Sequence, residues 1–271
     1  MKNDKYWQDR FIELEKATME YGLEAYRNIE PAFNRAQAEI QKEIEIWMHR
    51  IAVNNNVSLA EARRMLNAKE LAEFKWGIEE YISHAEQGSK FAKQLENASA
   101  RYHISRLEAL QATTQMASEK AFGNELDIVD YLARKSYAEG YYRTGYELQK
   151  SFNTGFNMGQ INEDKLDKLI AKPWAADGRN FSDRIWQNKN AMVNELNNEL
   201  VRTCIQGKPA KEAVENLTQF VDKKVRNAKA QAGRLVATEA AFFSSVAQKD
   251  CFDDLGVDAD QIGRASCRER V

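Results

Sequence analysis

Proline and glycine are scarce along this chain, and their scarcity limits the folds that it can adopt. Three of the 271 residues are proline and 13 are glycine, whereas average usage predicts about 14 and about 19. Because these residues are the strongest breakers of regular structure, long uninterrupted helices are expected. With 43% hydrophobic residues the chain has enough apolar side chains for a core, but it has no apolar run of the roughly 18 residues that cross a membrane. The composition predicts an all-α protein, an elongated assembly of long amphipathic helices with at most a small β-ribbon.

Hydrophobic periodicity and capping residues place the expected helices. From Phe33 to Ile51 apolar residues recur at steps of three and four, which is typical of an amphipathic helix. That helix is expected to end near residues 54–56. Four polar residues stand where a side chain caps a following helix: Ser58, Asn67, Asn162 and Ser182. The segment 151–159, in which glycine alternates with aromatic residues, predicts an irregular loop or the small ribbon.

A polar segment at residues 172–186, KPWAADGRNFSDRIW, marks the expected domain boundary. Pro173 ends the preceding helix, since the residue before a proline is disfavoured in helical conformation. The division predicts an N-terminal helical domain over residues 1–172 and a second helical domain, truncated, over residues 173–258. The last ten residues, 262–271, read IGRASCRERV. A back-translation of these ten residues reproduces, codon by codon, what looks like a common sequencing-library adapter. The ten residues are therefore expected to be an artefact.

The charge balance gives no global field for holding nucleic acid. Lys and Arg number 39 against 41 Asp and Glu, a net charge of −2, so any DNA contact must be local. The candidate patch lies early in the last helix and comprises Lys223, Lys224, Arg226 and Lys229. The chain begins without a basic and apolar leader, and its three cysteines are far apart. Both features predict a protein of the reducing cytoplasm.

Sequence signatures of catalysis are absent. The histidines, His49, His84 and His103, lie in separate segments, and none has a second His or Cys at metal-ligand spacing. There is no GxGxxG, GxxxxGK[ST], GxSxG or HExxH motif. We therefore expect a protein that is not an enzyme, with no catalytic residue, no cofactor, no bound metal and no small-molecule substrate.

Four stretches carry a family resemblance: YWQDR at 6–10, SLAEARRML to ELAEFKW at 58–76, the boundary segment 172–186, and RLVATEAAFFSSVAQKDCFDDLGV at 234–257. Together they resemble the minor capsid, or head-morphogenesis, proteins of tailed phages and prophages, the Mu F-like group. The most specific stretch is the last. The family has an Arg-x-x-x-Thr-Glu helix followed by a Leu-Gly-Val turn, here Arg234, Thr238, Glu239 and residues 255–257. A small domain with paired cysteines follows that turn in the family, and this sequence lacks it.

The resemblance implies a structural protein of the virion or procapsid interior, assembled in the host cytoplasm and linked to head assembly, DNA packaging or ejection. Its implied partner is the portal protein, with scaffold, major capsid protein and packaged DNA as further candidates. The resemblance carries over Arg234, Thr238 and Glu239 as partner-binding positions. Trp174, Arg184 and Trp186 join them because Trp and Arg are enriched at binding hot spots.

Alternative interpretations stay open at this stage. The two tryptophans could instead anchor their loop against their own domain. The chain could be a DNA-binding head protein that uses the patch at residues 223–234, for which phosphate contacts predict a steep salt dependence. It could also be the N-terminal part of a fused enzyme, since some phage head proteins of this type carry C-terminal activities such as ADP-ribosyltransfer.

Overall fold

The fold is all-α, as predicted. A computed structural model of the chain describes residues 4–84, 90–99, 103–156 and 158–257. These residues form eight helices: α1 Asp4–Arg50, α2 Leu59–Ala62, α3 Ala68–His84, α4 Lys90–Ser99, α5 Arg106–Phe152, α6 Glu163–Ala171, α7 Phe181–Gln206 and α8 Ala210–Leu255. Strand β1, Ala52–Val53, pairs antiparallel with β2, Asn56–Val57. No helix in the described ranges is both long enough and apolar enough to span a membrane.

Short-range hydrogen bonds explain where several helices begin. The side chain of Asn162 accepts a hydrogen bond from the backbone of Lys165 at 3.0 Å, and Ser58 serves α2 in the same way. At α3 the bonds are reciprocal, because Asn67 accepts from the backbone of Glu70 while the Glu70 carboxylate accepts from the backbone of Asn67, each at 3.0 Å. Each bond satisfies a backbone N–H that has no partner inside the helix. The predicted caps at Ser58, Asn67 and Asn162 are confirmed.

The ribbon lies elsewhere than the sequence predicts. Helix α5 extends to Phe152, and residues 153–156 and 158–159 contain turns and irregular backbone. Of the two alternatives for this segment, the described residues therefore form the irregular loop and not the ribbon. The hairpin instead occupies residues 52–57, where Asn54 and Asn55 have φ angles of 50° and 69°. Positive φ at both central residues matches the twist of the flanking strands, and asparagine tolerates it. A backbone hydrogen bond from Val57 to Lys208, 2.8 Å long, adds a tertiary contact.

The described residues form two compact units. Unit 1 takes its residues from 4–30, 124–185 and 230–257, and unit 2 takes its residues from 31–123 and 186–229. Helices α1, α5, α7 and α8 each contribute residues to both units. The units therefore interleave along the chain and do not coincide with the expected division between residues 172 and 173.

Small residues bring the helices of unit 1 close together. A Cβ atom added to Gly140 of α5 would lie 3.0 Å from the carbonyl oxygen of Ser244 and 3.1 Å from Cβ of Ala247, both on α8. On α1, the Thr18 hydroxyl donates to the carbonyl of Leu14 at 2.9 Å and also lies 3.2 Å from the Ser244 hydroxyl. Close backbone approach of this kind requires glycine or another small residue at the contact.

Unit 2 combines an aromatic contact with an ion-pair cluster. The rings of Phe33 and Phe122 meet edge to face with centroids 4.9 Å apart. The guanidinium of Arg106 pairs with Glu61 at 2.9 Å and Glu70 at 3.1 Å. It also donates to the carbonyl oxygen of Arg50 at 2.8 Å. One side chain thus joins α1, α2 and α3 to the start of α5.

Candidate functional site

The candidate site is the loop of residues 172–180 in unit 1, between α6 and α7. Gly178 has a φ of +67° and donates a backbone hydrogen bond to the carbonyl of Ala175 at 3.0 Å, which turns the chain. Asn180 then caps α7, since its side chain accepts from the backbone of Asp183 at 2.9 Å and Asp183 reciprocates at 3.3 Å. The predicted cap at Ser182 is wrong, because α7 already begins at Phe181.

Trp174 attaches this loop to α8. Its indole ring stacks on Phe242 with centroids 4.2 Å apart and an interplanar angle of 10°. Its Nε1 donates a 3.1 Å hydrogen bond to Oε2 of Glu239. Because Glu239 and Phe242 are three residues apart, they lie on one face of α8. Trp174 is half-buried and therefore anchors the loop within its own unit.

Glu239 is a buried carboxylate with one unsatisfied oxygen. The residue is 1% exposed, and its Oε1 has no hydrogen-bond partner among the described residues. Burial raises the pKa of Glu239, while the hydrogen bond from Trp174 and the charge of Arg184 oppose that rise. Burial disfavours the charged carboxylate.

Arg184 brings a second charge to the loop. Its Nη2 donates to Asp177 at 2.9 Å, whereas its buried Nε has no hydrogen-bond partner in the part of the chain described. Desolvation acts to raise the pKa of Asp177, but hydrogen bonds from the Arg184 side chain and the Arg179 backbone lower it overall. Three of the predicted site residues, Trp174 of the loop, Arg184 of α7 and Glu239 of α8, therefore lie in one cluster of unit 1. We call Trp174, Asp177, Arg184, Glu239 and Phe242 the loop cluster.

The other predicted partner-binding residues lie outside the loop cluster. Arg234 and Thr238 are exposed on α8, and the Thr238 hydroxyl donates to the carbonyl oxygen of Arg234 at 2.9 Å. Trp186 belongs to unit 2 and is half-buried. The ammonium of Lys189 lies over its ring, 5.2 Å from the ring centroid. The role of these residues in partner binding stays a prediction.

The predicted DNA patch is partly engaged within unit 2. Lys224 pairs with Glu195 at 2.5 Å, and Lys229 donates to the side chain of Asn34 at 3.0 Å. Lys223 and Arg226 are exposed. Two of the four side chains thus already have protein partners.

The cysteines and the other metal-ligand side chain types are dispersed in the described ranges. No group of three or more His, Cys, Asp and Glu residues there is arranged to hold a metal ion. Cys204 and Cys251 are free and buried. Burial raises the pKa of the Cys204 thiol to about 11, and burial together with the charge of Asp254 raises that of Cys251 to about 12. Cys267 and the adapter-like residues 262–271 lie outside the described residues.

Two residues of the loop cluster, Phe242 and Asp177, are not among the predicted site residues. Phe242 has the i+3 spacing from Glu239 that places two residues on one helix face, which is a signal that could have found it. No sequence signal pairs Trp174 with Glu239, because 65 positions separate them.

No family model matches the sequence, and no solved structure matches it. The chain is similar to a curated protein of Enterococcus faecalis, the NAD(+)–arginine ADP-ribosyltransferase EFV, with 26% identity over 160 residues. The match covers 58% of this chain and 31% of the relative, so the chain spans about a third of the length of the curated relative it matches. Because that relative is named as an enzyme, the expectation that this protein is not an enzyme is contradicted.

Proposed function

We propose that this chain is the helical part of a longer protein that transfers ADP-ribose from NAD⁺ to arginine. The observation that carries the proposal is the 160-residue similarity to a relative named for that activity. This proposal corresponds to the alternative considered above, in which a head-morphogenesis-type helical region is fused to an ADP-ribosyltransferase.

Two clefts of the described residues can be compared in volume with known small-molecule sites. Small-molecule sites commonly enclose about 300 to 1,000 Å³. A cleft in unit 1, lined by residues of α1 and α5, has a volume of about 100 Å³. A second depression, of about 340 Å³, is lined by Tyr146 and polar residues up to Gly155 at the solvent-exposed end of α5. The first cleft is smaller than this range, and the second lies among exposed residues. Because the chain spans about a third of the relative's length, we propose that NAD⁺ binds in parts of the longer protein beyond residues 4–257.

A transfer assay tests the proposed activity. The proposed longer protein is incubated with NAD⁺ and agmatine, a small guanidine that takes the place of arginine, and ADP-ribosylated agmatine and free nicotinamide are measured. We expect both products to accumulate together. A folded full-length protein that releases no nicotinamide would contradict the activity. Saturable binding of NAD⁺ to residues 1–257 alone would contradict the placement of the site.

The role of the helical part is the second element of the proposal. We propose that it docks the protein in a phage procapsid, with the portal as partner. Two observations support this role: the resemblance at residues 234–257, and the exposure of Arg234 and Thr238 on α8 beside the anchored Glu239. Arginine is among the residue types enriched at protein interfaces, so exposed Arg234 is a candidate contact residue for the partner.

A charge-reversal pair tests the docking role. We expect Arg234→Glu to reduce co-purification with the portal protein, whereas Lys249→Glu, at another exposed basic position of α8 in unit 1, should leave it unchanged. Thermal unfolding establishes that both variants fold. Equal portal recovery for the wild type and both variants would count against this surface.

A further inference from the structure

A glycine on α5 leaves a notch that a methionine side chain fills. A Cβ atom added to Gly145 would overlap the Sδ and Cε atoms of Met158, and it would lie 3.5 Å from Sγ of Cys251 on α8. Glycine permits this close approach because it has no side chain to displace the thioether. Met158 is half-buried, whereas Cys251 is fully buried. A partly accessible thioether and a buried thiol of unit 1 thus meet at one glycine.

Met158 belongs to a segment that folds back along α5. We call residues 153–161 the return segment, of which all but position 157 are described. The backbone N–H of Thr154 donates to the carbonyl oxygen of Gln149 at 3.2 Å, and that of Ile161 donates to the Tyr142 hydroxyl at 3.3 Å. Because the partners on α5 come earlier in the chain as the segment proceeds, the segment runs antiparallel to the end of that helix. The notch lies between these two contacts.

The return segment buries little of its own surface. None of its described residues is fully buried; Phe156, Met158 and Ile161 are half-buried, and the others are exposed. The side chain of Gln149 donates a further hydrogen bond, 3.0 Å long, to the carbonyl oxygen of Phe156. Hydrogen bonds that water can replace contribute little net stability. Segments with few buried apolar contacts open at a low free energy, so attachment of this segment depends on its half-buried side chains.

Oxidation would change the chemical character of the Met158 side chain. A peroxide transfers one oxygen atom to Sδ: its O–O bond breaks, an S–O bond forms, the thioether is oxidised to a sulfoxide, and hydrogen peroxide is reduced to water. The sulfoxide is polar, and such a change disrupts packed apolar contacts. Among the atoms nearest the notch, the Cys251 S–H is a donor, and thiols donate only weakly. A sulfoxide oxygen held there would be poorly hydrogen-bonded, which is unfavourable.

We propose that Met158 is an oxidation site that controls access to Cys251. While Met158 is reduced, its thioether fills the notch at Gly145 and keeps solvent from the Cys251 thiol. Conversion of Met158 to the sulfoxide by a peroxide releases the return segment from α5 and exposes that thiol. Methionine sulfoxide can be reduced enzymatically, so the release is reversible.

The reactivity of Cys251 reports the release. Burial and the charge of Asp254 raise the pKa of the Cys251 thiol to about 12, which keeps it protonated at neutral pH. Because the thiolate is the nucleophile, the buried thiol reacts slowly with alkylating agents, and exposure returns its pKa toward the value of about 8.5 for a free thiol. Cys204 is also buried and free but lies in unit 2, so it is the internal control.

Alkylation followed by peptide mass spectrometry tests the proposal. The chain is treated with hydrogen peroxide, which is then removed. Dithiothreitol returns reversibly oxidised cysteine to the thiol and is removed before iodoacetamide is added. Once Met158 is a sulfoxide, we expect the alkylation rate of Cys251 to rise at least about tenfold, with the rate of Cys204 unchanged.

Variants assign the effect to one side chain. Met158→Leu keeps an apolar side chain that cannot form a sulfoxide, so peroxide should leave the Cys251 alkylation rate unchanged. Met19→Leu is the matched control, because Met19 is 63% exposed on α1 and the peroxide effect should persist without it. Met158→Gln introduces a polar side chain of similar length and should raise Cys251 alkylation without peroxide. It also covers the case in which Met158→Leu fails to fold.

Four results would overturn the proposal. Met158 that stays reduced while exposed Met19 is oxidised would show that it is not a modification site. Unchanged Cys251 alkylation after oxidation of Met158, or in a folded Met158→Gln variant, would show that the thioether does not protect the thiol. A peroxide effect that persists in folded Met158→Leu would assign it to another residue. A parallel rise at Cys204 and Cys251 would show general unfolding and not release of one segment.

Discussion

Replacement of Glu125 by glutamine should change how stability depends on pH. Glu125 of α5 is 2% exposed, and its Oε2 lacks a hydrogen-bond partner in the described ranges. Burial raises its pKa from 4.5 to about 8. The folded state therefore keeps a proton that the unfolded state has already released between these two pH values. Because the folded state binds more protons there, the free energy of unfolding falls as the pH rises from about 4.5 through about 8.

The pKa difference sets the size of the effect. At pH 7 the unfolded carboxyl lies 2.5 pH units above its pKa of 4.5. At about 1.4 kcal/mol per unit, this costs the native state about 3 kcal/mol relative to low pH. Glutamine cannot ionise, so Glu125→Gln should remove the pH-dependent loss. Any cost of burying the new amide N–H₂ is the same at every pH, so the slope is the diagnostic quantity.

Urea unfolding followed by circular dichroism at pH 5, 6, 7 and 8 measures this slope. Between pH 5 and pH 8 the wild type should lose about 3 to 4 kcal/mol relative to Glu125→Gln, at equal denaturant dependence. Glu45→Gln, at an exposed position of α1, should follow the wild type. Parallel stability curves for wild type and Glu125→Gln would refute the reasoning, because they would show that Glu125 has the same pKa in both states.

Other substitutions probe packing. Trp174→Phe keeps a ring against Phe242 but removes the hydrogen bond to buried Glu239. Urea unfolding should therefore show a free energy of unfolding lower by about 1 to 3 kcal/mol. The control Trp76→Phe, at a residue 66% exposed, should stay within about 0.5 kcal/mol of wild type. Gly140→Ala places a Cβ 3.0 Å from a backbone oxygen and should lower the melting temperature. Gly123→Ala, with no atom within 4 Å of the added Cβ, should instead raise the free energy of unfolding by about 0.5 to 1 kcal/mol. A change in stability of the same sign in both variants would contradict the close approach at Gly140. Arg106→Met breaks the ion pairs with half-buried Glu61 and buried Glu70. It should cost about 3 kcal/mol in chemical unfolding, because the buried Glu70 carboxylate loses its ion-pair partner. A near-neutral effect would show that the Glu70 carboxylate is solvated.

Several features of the fold could be predicted from the sequence because their causes are local. A cap such as Asn162 forms its hydrogen bond three residues away, and helical periodicity repeats within four residues. The ribbon at 52–57 is not predicted, although its turn is also local. The run Asn54-Asn55-Asn56 predicts a helix end, but asparagine is equally suited to the positive φ angles of a hairpin turn.

The candidate sites depended on contacts between distant parts of the chain. Whether Trp174 faces a partner or Glu239 is decided by the packing of α8 against the loop, 65 positions away in sequence. Met158 and Cys251 meet at Gly145 although no sequence motif relates these residues. Likewise, no sequence pattern shows that Glu125 loses its solvent, since desolvation is produced by all the helices that surround it. The sequence by itself determined the helical class and three helix starts, because backbone hydrogen bonds and capping act over a few residues. Only the tertiary structure decided which polar atoms are buried without partners, because burial depends on residues that are far apart along the chain.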